Sequence, residues 1–248
     1  MIYFVGAGSG DPELITLKGY KLLQEADLVV YAGSLVNPDV LQYVKEGARV
    51  VDSASLNLDE IIAEMVSAHR EGKKVVRLHT GDPSLYGAIG EQMIRLREEG
   101  IEFKIVPGVS SFLAAAAALK REYTVPDGTQ TVILTRLEGR TPVPETEKLR
   151  DLAKHRASMA IFLSVSMIDR VVDELKSSYP ADTPAAVVEK ASWPEERTII
   201  GTLETLADLV QEAGIKKTAL ILVGDFLTAS GKSKLYDRKF SHGYRKGE

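Results

Sequence analysis

Cysteine is absent from the chain. That gap removes disulfides, thiolate nucleophiles, iron–sulfur clusters and thiolate zinc sites together. Histidine is scarce as well. His69, His79, His155 and His242 are the four present, none at a His-x-x-x-His helical spacing, so no metal site is expected. No apolar run approaches the roughly 18 residues of a transmembrane helix. Residues 1–6 lack the basic flank and long apolar stretch of a signal peptide. The expectation is therefore a cytoplasmic protein without a membrane span. A basic surplus is also missing, because the formal charge is −4. That argues against general nucleic-acid binding, which relies on a basic surface, but leaves room for a polyanionic small molecule held by local arginines.

What is present is an ordinary globular balance, 44% hydrophobic and 27% charged over 248 residues. Such a chain buries a substantial core as one large domain or two modest ones. Residues 2–5, 27–31, 49–51, 74–79 and 103–106 read as strands, rich in Val and Ile and bounded by turns. Between them, residues 12–24, 58–70 and 87–99 carry apolar residues at helical spacing. Asn57 or Asp59 can cap the second helix, and Gly72 and Gly100 close the second and third. Strand–helix alternation predicts a mostly parallel sheet with right-handed crossovers. Residues 110–119 form a further helix whose alanines at 114–118 suit close packing. Pro126-Asp127-Gly128 marks a turn near a domain boundary.

The second half repeats the pattern. Strands are expected at 130–135, 158–164, 185–189, 198–203 and 219–223, with helices near 145–155, 168–179 and 203–213. The short link 190–197 between two of these strands predicts a hairpin, hence a mixed second sheet. The expected fold class is α/β with two α/β domains: residues 1–118 around a mostly parallel sheet and residues 119–232 around a mixed one. Beyond Phe226 the chain turns polar and basic. Residues 233–248 read as a tail that frays or drapes over a surface.

The loop Gly6-Ala7-Gly8-Ser9-Gly10-Asp11-Pro12 follows the first strand. A G-x-G-x-x-G fingerprint there would suggest a dinucleotide pyrophosphate. Here the third glycine comes one place early, and Asp11 stands where it should be. Asp11 and Glu13 would compete with phosphate at the helix N-terminus. The second strand ends Val30-Tyr31-Ala32-Gly33, without an acidic partner for a ribose hydroxyl. Asp11 is better read as a helix cap with Pro12 in the first helical position, and the loop as one wall of the active site.

Four more loops fall at strand carboxyl ends, where open α/β sheets bind ligands. They are Tyr31-Ala32-Gly33-Ser34-Leu35-Val36, His79-Thr80-Gly81-Asp82-Pro83-Ser84-Leu85-Tyr86-Gly87, Val106-Pro107-Gly108-Val109-Ser110-Ser111 and Leu163-Ser164-Val165-Ser166-Met167. With residues 5–19, these segments in this order resemble the tetrapyrrole (class III) methyltransferases, over residues 2 to about 227. Residues 130–136, 138–145 and 186–194 and the tail are similar to the members of that family that methylate C11 of precorrin-4 or cobalt-precorrin-4.

The resemblance implies an active-site cleft between the two domains, S-adenosylmethionine as methyl donor, S-adenosylhomocysteine as its product, a tetrapyrrole substrate and a homodimer. It implies donor contacts from Pro12, Gly81, Asp82, Leu85 and Tyr86, with Ser110 and Ser111 at the amino-acid end. Met167, Ala186 and Ala219 would line the adenine pocket, largely through backbone atoms. Gly8, Ser9 and Gly10 would face the macrocycle. Arg136 and Arg140, with Lys120 and Arg121, are candidate clamps for its carboxylate arms. Asp11 is a candidate catalytic carboxylate, able to accept from pyrrole N–H groups or assist a proton loss. Other readings are a related enzyme acting at C17 or C20 or on diphthine, an NAD(P)-dependent oxidoreductase, and a non-catalytic corrinoid carrier.

Overall fold

The first five strands are β1 (Ile2–Gly6), β2 (Leu28–Tyr31), β3 (Arg49–Asp52), β4 (Val75–His79) and β5 (Phe103–Val106). In the computed structural model they form one parallel sheet in the order β3-β2-β4-β1-β5. Residues 1–33 and 35–247 are described; Ser34, in the segment after β2, and Glu248, at the end of the expected tail, lie outside the described residues. Every residue of β4 is buried, as expected of a strand covered on both faces.

The helices of this part are α1 (Leu17–Glu25), α2 (Leu58–Arg70) and α3 (Ile89–Glu98). Connections leaving β1 and β2 run one way along the sheet, and those leaving β3 and β4 run the other. Right-handed crossovers therefore place α1 on one face and α2 and α3 on the opposite one. The cores agree. Leu22 and Leu23 of α1 pack with Val5, Val29, Val76 and Leu78. Ile61 and Met65 of α2 and Leu96 of α3 pack with Ile2, Phe4, Val30 and Val75. Since β4 and β1 are neighbours whose connections depart in opposite directions, their carboxyl ends form the switch point where such sheets take ligands.

Helix α2 opens on a capping box, Asn57 accepting from the Glu60 amide at 3.0 Å and Glu60 from the Asn57 amide at 2.8 Å. Gly72 and Gly100 close α2 and α3 with φ of 79° and 69°, a region open to glycine at little cost. The helix read over residues 12–24 is not continuous. A 3-10 turn, Pro12–Leu14, is capped by Asp11, the chain extends through Ile15, and α1 begins after Thr16, whose hydroxyl accepts from Gly19. Two caps five residues apart compete, and each starts its own segment.

The second sheet contains β6 (Val132–Arg136), β7 (Ser158–Phe162), β8 (Pro184–Glu189), β9 (Arg197–Thr202) and β10 (Ala219–Val223). Its order is β6-β7-β10-β8-β9, with β6 parallel to β7 and all other pairs antiparallel, so it is mixed as expected. Helices α5 (Leu149–Ala153), α6 (Ile168–Lys176) and α7 (Leu206–Glu212) cover one face, with Val171, Leu175, Leu206 and Val210 packed on Met159, Ile161, Val187 and Ile221. The helix read over 145–155 is split in two, because Lys148 is extended between the 3-10 turn Glu145–Glu147 and α5.

Two compact units result: Met1–Ala114 with Lys190–Glu195, and the remaining described residues. The boundary falls inside α4 (Ser111–Ala118). The hairpin tip Lys190–Glu195, inside the stretch expected to make the second domain, groups with the first unit. The tail does not simply fray. Arg245 donates to the carbonyls of Leu235 at 2.7 Å and Asp237 at 2.6 Å, tying the last residues into a local knot. Among the described residues, no helix is long and apolar enough to cross a membrane.

Candidate active site

Three loops meet backbone to backbone at the carboxyl ends of β4, β1 and β5. The Ala7 amide donates to the His79 carbonyl and the Gly81 amide to the Gly8 carbonyl, each at 2.7 Å, so residues 8 and 81 form an antiparallel bridge across the switch point. A Cβ added at Gly6 would stand 2.5 Å from the Gly81 carbonyl oxygen and 2.6 Å from the Gly108 Cα. At Gly108 it would stand 2.1 Å from the same oxygen. Glycine is required at both positions by close approach rather than by torsion.

Asp82 holds this junction together. Its Oδ1 accepts from the Ser84 amide at 2.8 Å and its Oδ2 from the Gly108 amide at 2.9 Å. One carboxylate thus caps its own loop and fastens it to the loop after β5. Gly81 (φ 59°) leaves ordinary contact space, since a Cβ there would sit 3.5 Å from the Ser110 Cα and 3.8 Å from the Ser111 amide. Gly81, Asp82, Ser110 and Ser111 are therefore brought together. Ser110 is buried.

The first glycine loop is fixed along its whole length. Besides the Gly8 bond, the Ser9 hydroxyl lies 2.8 Å from the Ser192 hydroxyl, and the Ser9 carbonyl accepts from the Trp193 indole at 3.0 Å. The Gly10 carbonyl accepts from the buried Asn37 amide at 2.9 Å. The Asp11 amide donates to Ser192 at 3.0 Å, and the Asp11 carboxylate accepts from Glu13 at 2.8 Å. The indole lies so close over Gly10 that a Cβ there would be 2.0 Å from Trp193 Cδ1. Asn37, Ser192 and Trp193 were not assigned to the site from the sequence; Ser192 and Trp193 stood there only within the stretch 186–194 that carries the family resemblance.

Below the junction, on the α2/α3 face, lies a buried polar pair. Arg77 donates to Gln92 and to the Val30 carbonyl, each at 3.2 Å, and burial lowers it to about 10. His79 is 4% exposed, and its Nε2 has no hydrogen-bond partner among the described residues. Burial, reinforced by the Arg77 charge, lowers it to about 3. His79 is thus a neutral imidazole. No group of His, Asp and Glu among the described residues could hold a metal ion.

The tetrapyrrole (corrin/porphyrin) methylases match residues 1–207. Cobalt-precorrin-4 C(11)-methyltransferase of Methanocaldococcus jannaschii is 59% identical, aligned over 99% of this chain and 96% of that protein. Precorrin-4 C(11)-methyltransferase of Pseudomonas aeruginosa is 49% identical over 100% and 99%. The chain belongs to the tetrapyrrole methylases. Among solved structures, a cobalt precorrin-4 methyltransferase is similar with a TM-score of 0.89 and 53% identity, covering 92% of this chain and 96% of that one. A uroporphyrin-III C-methyl transferase from Thermus thermophilus, complexed with S-adenyl homocysteine, is similar with a TM-score of 0.77 and 30% identity, covering 92% and 93%.

In this methylase Ser110 and Ser111 lie beside Gly81, whose amide is engaged by the Gly8 carbonyl, while the Asp82 carboxylate is engaged on backbone amides. Leu85 follows on the same loop, its amide donating to the Asp82 carbonyl at 3.2 Å, and Tyr86 (φ 54°) is 44% exposed. Pro12 sits in the capped 3-10 turn beside Asp11.

In the second unit, Met167 and Ala219 pack against the core under α5–α7. Ala186 pairs with Leu222, three residues along β10 from Ala219, so Ala186 and Ala219 side chains point to opposite faces of the sheet. The structure does not bring those two together. Arg136 donates to the carbonyls of Thr141 at 3.1 Å and Pro142 at 2.6 Å, closing the loop after β6, while Arg140 on that loop is exposed. Lys120 (φ 53°) and Arg121 are exposed where α4 ends.

Proposed function

We propose that the chain transfers a methyl group from S-adenosylmethionine to C11 of precorrin-4 or cobalt-precorrin-4 in cobalamin biosynthesis. The observation that carries this is the full-length likeness, 59% identical, to the Methanocaldococcus jannaschii cobalt-precorrin-4 C(11)-methyltransferase. The donor supplies a methyl already attached to a good leaving group, and the electron-rich macrocycle supplies the carbon nucleophile.

The chain's own part is alignment and exclusion of water, which can contribute roughly 7–11 kcal/mol without a strong base or a metal. Gly81, Ser110 and Ser111 hold the amino-acid end of the donor, and Met167 contributes to its adenine pocket. Residues 8–10 shape the wall facing the macrocycle. Asp11, whose Oδ1 accepts from the Glu13 amide, offers its other carboxylate oxygen to the pyrrole N–H groups. Arg140, Lys120 and Arg121 take the carboxylate arms, and Arg136 shapes the loop that carries Arg140. The same reading makes the protein a homodimer, as the family resemblance implies, working in the cytoplasm.

Incubation with methyl-labelled donor and each substrate form tests the proposal. A product one methyl heavier, with the label at C11 by NMR, is expected. Label at C17 or C20, or no product from either form, refutes it. Light scattering on a sizing column tests the dimer.

A further inference from the structure

The hairpin tip Lys190–Glu195 makes contacts that the methyl-transfer reading does not use. Ser192 bonds both the Ser9 hydroxyl and the Asp11 amide, Trp193 donates to the Ser9 carbonyl, and its ring closes over Gly10. Residues 9–11 are thus held by two consecutive side chains from more than 180 positions away: Ser9 by both, Gly10 by Trp193 and Asp11 by Ser192. The tip is itself built at a cost. Lys190 and Ser192 both adopt left-handed backbone, φ 48° and 68°, a conformation unfavourable for non-glycine residues. Lys190 stacks its ammonium over the Trp193 ring at 5.4 Å and lies 3.6 Å from Glu195. Such strain persists where surrounding structure enforces it, and it concentrates at functional sites.

We infer that Ser192 and Trp193 are positioning residues for the macrocycle: they hold residues 9–11, and with them the Asp11 carboxylate, in the binding conformation before substrate arrives. The inference rests on the tetrapyrrole methylase reading, in which this loop faces the substrate. A loop already ordered spares the ligand the entropy of ordering it. Losing the clamp therefore weakens tetrapyrrole binding and leaves donor affinity alone, because the tip bonds Ser9 and Asp11, whereas the loops carrying Gly81, Ser110 and Ser111 are fastened to each other through Asp82 and Gly108.

The test uses Ser192→Ala, which removes both hydroxyl bonds, and Trp193→Phe, which keeps a ring over Gly10 but loses the N–H donor. For Ser192→Ala the KM for the tetrapyrrole should rise about tenfold, and for Trp193→Phe about threefold, the loss of one or two ordinary hydrogen bonds. In both, kcat and the calorimetric Kd for S-adenosylhomocysteine should stay within about twofold. Should Ser192→Ala fail to fold, Trp193→Phe carries the comparison. Trp193 is the single tryptophan, so its emission in the wild type should change on adding the tetrapyrrole and hold steady with S-adenosylhomocysteine alone. An unchanged KM in both variants, or donor affinity falling in step with KM, overturns the inference. So does emission that ignores saturating tetrapyrrole. A wild type that forms no methylated product sinks the functional reading instead, and the emission result then decides the inference by itself.

Discussion

Replacing Asp82 with alanine removes the acceptor of two backbone amides, Ser84 at 2.8 Å and Gly108 at 2.9 Å. A hydrogen bond to a charged group contributes about 1.5–3 kcal/mol when its loss leaves the partner buried. The Ser84 amide is exposed, so water replaces the carboxylate there and the loss is about 0.5 kcal/mol. Gly108 is wedged between Gly6 and the Gly81 carbonyl, so its amide loses nearer 2 kcal/mol. Asp82→Ala should therefore destabilise the first unit by roughly 2–3 kcal/mol. Asp82→Asn should cost about half that, since its amide keeps one acceptor oxygen and turns an NH₂ toward the other donor. Urea unfolding followed by the emission of Trp193, which belongs to the first unit, measures both. The reasoning is refuted if Asp82→Ala unfolds within about 0.5 kcal/mol of wild type while donor affinity falls more than tenfold. The carboxylate would then act on the ligand rather than on the junction.

Three further outcomes are expected. Gly108→Ala, whose Cβ would lie 2.1 Å from the Gly81 oxygen, should cost about 2–4 kcal/mol in the same assay; a cost under 1 kcal/mol would mean the junction yields easily. His79 is held neutral by burial, down to about 3 from an ordinary 6.5, so the unfolded chain takes up a proton first as pH falls. Its contribution is complete well above pH 6.5 and is lost from there toward 3, about 1 kcal/mol between pH 6 and pH 5. His79→Gln should flatten that slope in urea titrations, and an unchanged slope contradicts the assignment. Arg136→Ala should loosen the loop closed on Thr141 and Pro142 by about 1 kcal/mol, seen as faster protease cleavage there, whereas Arg140→Ala should raise the KM for the tetrapyrrole without changing cleavage.

Most of the fold was legible because local chemistry and tertiary structure agree. The Val- and Ile-rich runs became strands within a residue or two of their expected ends, and Asn57, Gly72 and Gly100 mark helix ends as their types suggest. Where two local signals competed, the reading failed. Asp11 and Thr16 both cap, so one expected helix became a turn and a helix. That Gly81, Asp82, Ser110 and Ser111 come together was legible, because each lies in a loop that follows its own strand. The tightest part of the site was not: nothing near Ser9 in the sequence announces Ser192 or Trp193. The opposite facing of Ala186 and Ala219 depends on the register between β8 and β10, which no local pattern states.

The bond between Ser9 and Ser192 spans 183 positions. A ribosome makes the chain from residue 1 onward, so the sheet that carries residues 8–11 can pair its strands long before residue 192 has emerged. Contacts of such separation form late, after the cost of closing the intervening chain has been met. The first glycine loop is therefore finished only once the hairpin has emerged. A nascent chain interrupted before the hairpin would own a parallel sheet and a helical cover, yet lack the bonds that fix residues 9–11.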